Sequence, residues 1–345
     1  MSPSVRSVES VVIPDLIAME PFEFRINPLD SIIGPATDKW LETPGVLTTK
    51  KMQKTQKVLN AGLLGAMCWP DINDRERLQV CTDFVNFLFH LDDLTDDMDG
   101  KSAETVREAV IDPMDNPEKW MKKIERGEAH GISALALDLW LRICHTATPV
   151  VSKRFRDTFD TFFVAVTEEA VDRKKKVIRG VQDYIDRRRV NGAVRSCFAL
   201  IEYANDFELP EEVFDHPTIR KLEDWANDLI TWANDILSFP IEYERGDSSN
   251  IAMSVMHEKG LGVQDAMDHS SKLFGDVVEN YVTARATLPS WGPEIDKMVE
   301  LYLHGMEYWV IGSTEWCFWT QRYFEDGLAV REKRVIEFQR PEKAT

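Results

Sequence analysis

Phe87-Leu88-Phe89-His90-Leu91-Asp92-Asp93-Leu94-Thr95-Asp96-Asp97 runs from a strongly apolar segment into four carboxylates with no turn residue between them. Cys81, Val85 and Leu88 step by four and three residues, so as a helix they share one face. The same steps next reach Asp92 and Asp96, and a core face becomes acidic. Carboxylates on such a stripe are costly to bury unless something positive sits against them. Oxygen ligands at i and i+4 suit a hard divalent cation such as magnesium. The stretch therefore reads as an apolar pocket with a metal-binding mouth. The bland alternative is a solvated acidic helix end, the commoner fate of such clusters. An EF-hand reading of Asp97-Met98-Asp99-Gly100 fails on spacing, because it puts Thr95 first and Val106 at the bidentate position.

The chain has 345 residues, 43% of them hydrophobic, enough for one large core or two smaller ones. A formal net charge of −18 argues against nucleic acid and anionic membrane as partners. No window approaches the ~18 apolar residues of a membrane span. Met1 to Ser10 lacks the basic and apolar regions of a signal peptide. Cys68, Cys81, Cys144, Cys197 and Cys317 are odd in number and scattered, and read as reduced core residues of a cytoplasmic protein. No CxxC or HxxxH spacing suggests zinc.

Residues 1–47 carry six prolines and are expected to pack on the body without long regular structure, apart from a short helix over Asp38–Glu42. From residue 48 to 345 the pattern is helical nearly throughout. Lys50 to Met67 is periodic. Asn73 with Glu76 forms a capping-box start for the helix that bears the acidic cluster, and Gly100 stops it. Residues 100–132 are mixed and polar. Helices are then expected over Ala134–His145, Ser152–Arg173, Val181–Tyr203, Leu222–Tyr243, Val263–Thr287 and Ile295–Phe324. No alternating strand signal with hairpin turns is present. The fold class is all-α, a single domain of ten helices or more around a cavity.

A second constellation lies at Asn234-Asp235-Ile236-Leu237-Ser238-Phe239-Pro240-Ile241-Glu242. Asn234, Ser238 and Glu242 stand at i, i+4 and i+8 and line one helical face, below apolar Ile230 and Ala226. Pro240 is expected to bend the last turn. Trp225-Ala226-Asn227-Asp228 nearly repeats as Trp232-Ala233-Asn234-Asp235, so Asn227, Thr231 and Asp235 form an earlier copy of the triad. The later frame is preferred because it ends in Glu242 and is followed by Gly246-Asp247, a natural stop.

The pair formed by Asp92-Asp93-x-x-Asp96 and Asn234-Asp-x-x-Ser238-x-x-x-Glu242 resembles class I terpene synthases, most closely the sesquiterpene synthases of mushroom-forming fungi. The resemblance spans about Asn27 to Phe324. Arg188 lies forty-six residues before Asn234, where the family has its diphosphate sensor, and Gly192 falls at its helix-break glycine. Arg322-Tyr323, with Trp316 upstream, matches a late Arg-Tyr pair. The match also selects the later frame, since Asn227 would put the sensor at Val181.

The resemblance implies a class I terpenoid synthase-like bundle that takes farnesyl diphosphate and about three Mg2+ ions. It assigns Asp92 and Asp96 to two ions, and Asn234, Ser238 and Glu242 to the third. It assigns Arg188, Arg322 and Tyr323 to the diphosphate, and Phe89 and Trp316 to the hydrocarbon. Phe84, Phe87, Trp69 and Trp319 are further aromatic candidates for a dry, cation-tolerant cavity. Whether Asp93 or Asp96 contacts metal stays open. Ile241 stands where such enzymes often carry a base, which leaves that phosphate contact absent or supplied by Arg187 or Arg189. The loop over Gly246–Asn250 is expected to seal the site. Metals would let a chain of charge −18 hold a polyanion. The rivals are a trans-prenyl diphosphate synthase, which would need a second aspartate-rich motif, and an acidic helical scaffold without catalysis. Monomer and homodimer are both compatible with the sequence.

Overall fold

The structure, a computed structural model, describes residues 8–95, 98–129, 131–175 and 177–339. Asp96 and Asp97 lie outside these, so the first acidic cluster is seen through Asp92 and Asp93. Seventeen helices and two short strands are present among the described residues.

The proline-rich start is more ordered than its composition suggests. It holds β1 (Val8–Val12), α1 (Leu16–Met19) and α2 (Asp30–Leu41). Pro35 sits inside α2, yet the helix persists because Ile33, Thr37 and Leu41 are buried. Tertiary packing here outweighs the ~3 kcal/mol that an internal proline costs. The expected helix over Lys50–Met67 is two, α3 (Lys50–Leu59) and α4 (Ala61–Cys68), broken by Asn60 at φ 54°. A Cβ on Gly62 would stand 2.3 Å from the Gly34 Cα, so α2 and α4 meet backbone to backbone.

The acidic stretch lies on α5 (Arg75–Thr95). Its cap is Asp74 rather than Asn73: Asp74 Oδ1 accepts from the Glu76 and Arg77 N–H groups at 2.9 and 3.1 Å. Gly100 does not end this helix. It begins α6 (Gly100–Asp115) behind the Asp99 cap, whose Oδ1 accepts from Ser102 at 2.9 Å. The polar-looking stretch that follows is helical too, as α6 and α7 (Pro117–Glu125), because Ala103, Val106, Val110, Ile111 and Met114 make a buried stripe. Pro117 costs little at a first turn, where its missing donor has no intrahelical partner.

α8 (Ile132–Thr146) and α9 (Pro149–Lys175) follow. α10 (Val181–Asn191) and α11 (Val194–Ala204) are separated at Gly192-Ala193, where Ala193 has φ 54°. A four-residue α12 (Glu211–Phe214) leads into α13 (Pro217–Arg245), the longest helix. α14 (Ile251–Lys259), α15 (Val263–Arg285), α16 (Pro293–Trp319), α17 (Gly327–Lys333) and β2 (Val335–Gln339) complete the chain.

β1 and β2 pair antiparallel, from Val8 opposite Gln339 to Val12 opposite Val335. They come from opposite ends of the described chain, so no hairpin turn announces them. Phe338 on β2 sets its ring edge-on against Phe239 and Tyr243 of α13, with centroids 5.7 and 5.6 Å apart. α13 packs on α15 and α16 and is buried over most of its length. Cys68, Cys81, Cys197 and Cys317 are buried free thiols, whereas Cys144 is exposed. Among the described residues no helix is long and apolar enough to cross a membrane.

Candidate active site

The near-duplication in α13 has a structural reason. Asp228 and Asp235, one heptad apart, each receive an arginine from α10. Arg189 donates to both oxygens of Asp228 at 2.8 and 2.6 Å, and Arg188 Nη2 donates to Asp235 Oδ1 at 3.0 Å. Asn227, in the earlier copy, is fully buried and donates to the Arg189 carbonyl at 2.8 Å. That copy holds α10 on α13. The later copy faces a cavity.

Asp235 is the hub. Its Oδ2 accepts from the Tyr184 hydroxyl, and from the Ile251 N–H at 3.0 Å. Its carbonyl accepts from Asn250 Nδ2 at 2.7 Å, and the same amide group reaches Glu242 Oε2 at 2.9 Å. Asn250 also caps α14. Burial raises the Asp235 pKa against the pull of Arg188 and Tyr184. Burial works against the Arg188 charge, yet Asp235, Tyr184 and more distant carboxylates carry its pKa upward overall. Glu242 is pushed up to about 7, by burial first and by Asp235 second.

Asn234 joins two elements. Its Oδ1 accepts from Arg188 Nη2 at 2.9 Å, and its Nδ2 donates to the Tyr323 hydroxyl at 2.8 Å. Across the cavity Arg322 donates to both oxygens of Asp93 at 3.2 and 2.9 Å, and lies 3.9 Å from Asp92. The Arg322 guanidinium also stands 5.1 Å from the Phe89 ring centre.

The cavity measures about 940 Å³. Asp92, Asn234, Ser238, Glu242, Arg188, Arg322, Tyr323 and Phe89 all line it. Asp96 is outside the described residues. Gly192 and Trp316 do not line it. Gly192 ends α10, and a Cβ there would come within 2.7 Å of Thr231 Cγ2, so its smallness lets α10 approach α13. Trp316 is buried behind Phe89 and Tyr323, with ring centres 5.3 and 5.9 Å away, and its indole N–H is spent on the Leu59 and Asn60 carbonyls. Trp316 therefore forms the layer behind the cavity wall, not the wall itself.

The other aromatic candidates also point elsewhere. Phe84 packs on Phe155 and Phe159, Phe87 on Trp40, and Trp69 on Trp309, while Trp319 is exposed. Arg189 is turned to Asp228, which removes it as a phosphate contact; Arg187 lines the cavity and pairs with Glu168 at 2.8 Å. Sequence reasoning named Asp235 only as a member of the earlier triad copy and Asn250 only as the end of a sealing loop; it missed the frame that they form with Tyr184. One signal was available: Tyr184 precedes Arg188 by one turn, so both share a face.

The donors suit a hard cation. They are amide, hydroxyl and carboxylate oxygens from two facing helices, and Glu242 carries a carboxyl raised by burial that a cation would stabilise in its charged form. Among the described residues no three carboxylates, imidazoles or thiols converge on one point.

Comparison with known proteins agrees. The profile of the family described as terpene synthase family 2, C-terminal metal binding, matches residues 83–280. The chain is 38% identical to sesquiterpene synthase 1 of Postia placenta over 336 residues, covering 97% of both proteins. It is 36% identical to alpha-muurolene synthase of Coprinopsis cinerea over 333 residues, covering 96% of this chain and 78% of the relative. In fold it is similar to the solved germacradien-4-ol synthase from Streptomyces citricolor, with TM-score 0.68 and 23% identity over 86% of this chain and 96% of that one. A structure titled a-eudesmol synthase gives TM-score 0.74 at 18% identity, over 86% and 97% of the two chains. On the extent of these matches the chain belongs to the terpene synthase family.

Proposed function

We propose that this protein is a magnesium-dependent sesquiterpene synthase. It breaks the C–O bond of farnesyl diphosphate, releases diphosphate, and cyclises the C15 cation to a sesquiterpene. The cation is quenched by loss of a proton to give a hydrocarbon, or by water to give an alcohol. The observation that carries this reading is the placement of Arg188 and Arg322. Two arginines from distant segments face one cavity beside an oxygen-lined helix face, and Arg188 Nε is buried with no hydrogen-bond partner among the described residues.

Arg188 and Arg322 donate charge-assisted hydrogen bonds to phosphate oxygens, and the Tyr323 hydroxyl adds one more. Asp235 and Tyr184 hold Arg188 in place for this. Asp93 holds Arg322 until the anion arrives. Asn234, Ser238 and Glu242 would hold one magnesium ion, and Asp92 with Asp96 two more. Such ions act as Lewis acids on the leaving diphosphate. Phe89, with Met52, Val58, Leu94 and Val166, gives the hydrocarbon an apolar lining. The Phe89 face suits a carbocation. Residues 1–47 pack on the body, and residues 48–345 form the catalytic domain. We place the protein in the cytoplasm as a monomer or homodimer that takes no nucleic acid.

Purified protein with farnesyl diphosphate and magnesium is expected to give a cyclic sesquiterpene in a hydrocarbon overlay read by gas chromatography–mass spectrometry, and nothing with EDTA. Farnesol alone under both conditions would refute cyclisation.

A further inference from the structure

The helix α3 forms part of the cavity wall yet is lightly held. Of its ten residues only Leu59 is buried, and its main packing partner is α5. Lys51, Met52, Thr55 and Val58 nevertheless line the cavity together with Arg322 and Tyr323. Midway along, Gln56 donates to Asn86 at 2.8 Å and Asp38 at 3.1 Å. The firmest attachment is at the C-terminal end, beside the left-handed Asn60. There the Thr320 hydroxyl donates to the Val58 and Leu59 carbonyls at 2.7 and 3.0 Å, and the Trp316 indole to the Leu59 and Asn60 carbonyls at 3.2 Å each.

Thr320 faces both ways. It ends α16, is 2% exposed, and its hydroxyl oxygen also accepts the Arg322 N–H at 3.2 Å. One buried hydroxyl thus bonds the backbone of the arginine that faces the cavity and the carbonyls of the helix that walls it. A displacement of the Arg322 backbone would reach α3 through Thr320.

We propose that Thr320 is a positioning residue that couples capture of a diphosphate by Arg322 and Tyr323 to the seating of α3 over the hydrocarbon. The coupling rests on the proposed function; the joint between Thr320 and α3 stands without it. In the seated state Met52, Thr55 and Val58 contour the cavity and keep water from the cation. Loss of the hydroxyl takes the Thr320 donor from the Val58 carbonyl, leaves the Leu59 carbonyl with the Trp316 indole, and loosens the joint.

The test compares wild type, Thr320→Val and Thr320→Ser as full chains. Lys50, Lys51, Lys54 and Lys57 place trypsin sites along α3. Cleavage there is followed by mass spectrometry, without ligand and with magnesium plus inorganic diphosphate. Without ligand, Thr320→Val should be cut in α3 about tenfold faster than wild type, and Thr320→Ser within about twofold. With magnesium diphosphate, wild type and Thr320→Ser should gain protection that Thr320→Val lacks. With farnesyl diphosphate, Thr320→Val should release diphosphate with kcat within about threefold of wild type, while a larger share of its product is alcohol formed by water. Equal cleavage of Val and Ser variants in both conditions overturns the proposal, as does a wild-type α3 that magnesium diphosphate fails to protect. Failure of the functional reading has another signature: wild type releases no diphosphate from farnesyl diphosphate, while the ligand-free difference between Val and Ser, which supports the joint, persists.

Discussion

The acid-bearing end of α5 and the oxygen-bearing end of α13 face the same cavity but are built differently. On α5, the Asp92 side chain is 49% exposed and Asp93 is 30% exposed, with Arg322 shared between them. On α13, Asp235 is 1% exposed and tied to Tyr184, Arg188, Ile251 and Asn250. One end is an open set of carboxylates whose members can substitute for one another. The other is a bonded frame in which each group has one place. A cation held at the α13 end would meet ligands on a rigid frame, and one held at the α5 end would meet adaptable ones.

Substitution tests the contrast directly. Asn234→Ala removes a donor oxygen and leaves Arg188 and Tyr323 short of a partner, so kcat/KM for farnesyl diphosphate should fall about 1,000-fold. Asp92→Asn on the adaptable side should cost only about 10–100-fold, because Asp93 stands beside it. Diphosphate release assays read both, and equal losses would break the comparison.

Stability should separate the two ends in the same order. Asp235→Asn leaves Arg188 without its buried counter-charge and is expected to destabilise the fold by about 3–5 kcal/mol in urea unfolding. Asp93→Asn removes a partly exposed pair and should cost no more than ~1 kcal/mol. A loss at Asp93 as large as at Asp235 would mean that the α5 end is also a frame.

The smallest effect belongs to a group at neither end. Glu20 is buried, with Oε1 accepting from Thr314 at 2.8 Å and Oε2 without a partner among the described residues. Burial raises its pKa well above 4.5, Thr314 opposes the rise, and Glu315 adds to it. Because the folded value is the higher one, the stabilisation is complete below the unfolded value and drains away as pH climbs through the folded value. Glu20→Gln cannot ionise, so its melting temperature should gain on wild type as pH rises above the ordinary carboxyl value of 4.5. A constant difference over that range would show that Glu20 ionises alike in both states. If the α13 end carried the pH response instead, Asp235→Asn would change this slope and Glu20→Gln would not.

The sequence made the two helix ends legible because each announces itself within ten residues. An apolar stripe turns into oxygen-bearing side chains at i and i+4; periodicity places them on α5 and α13, and the pairing of the two motifs with the family resemblance supplies the metal reading. What stayed hidden depends on pairs distant in sequence. Tyr184 and Asp235 are fifty-one residues apart, and nothing local to either shows the bond. The resemblance put Trp316 on the hydrocarbon, and nothing in the sequence says which way the ring turns. The missed helices have the same origin. α6 conceals its buried stripe among acidic and basic residues, and α2 is helical around Pro35 only because α4 and α5 lie against it.

The strand pair β1–β2 has a consequence for synthesis. Val12 and Val335 are ladder neighbours separated by more than three hundred residues of chain. At ~5–20 residues per second, β1 leaves the ribosome on the order of tens of seconds before its partner exists. Through that interval Val11 and Ile13, both buried in the finished molecule, have no strand to lie beside. The β2 strand also braces α13 through Phe338. The helix that bears the oxygen ligands thus acquires its last support only when the end of the ladder is made, and a ribosome-bound chain lacking β2 should be the form most in need of a chaperone.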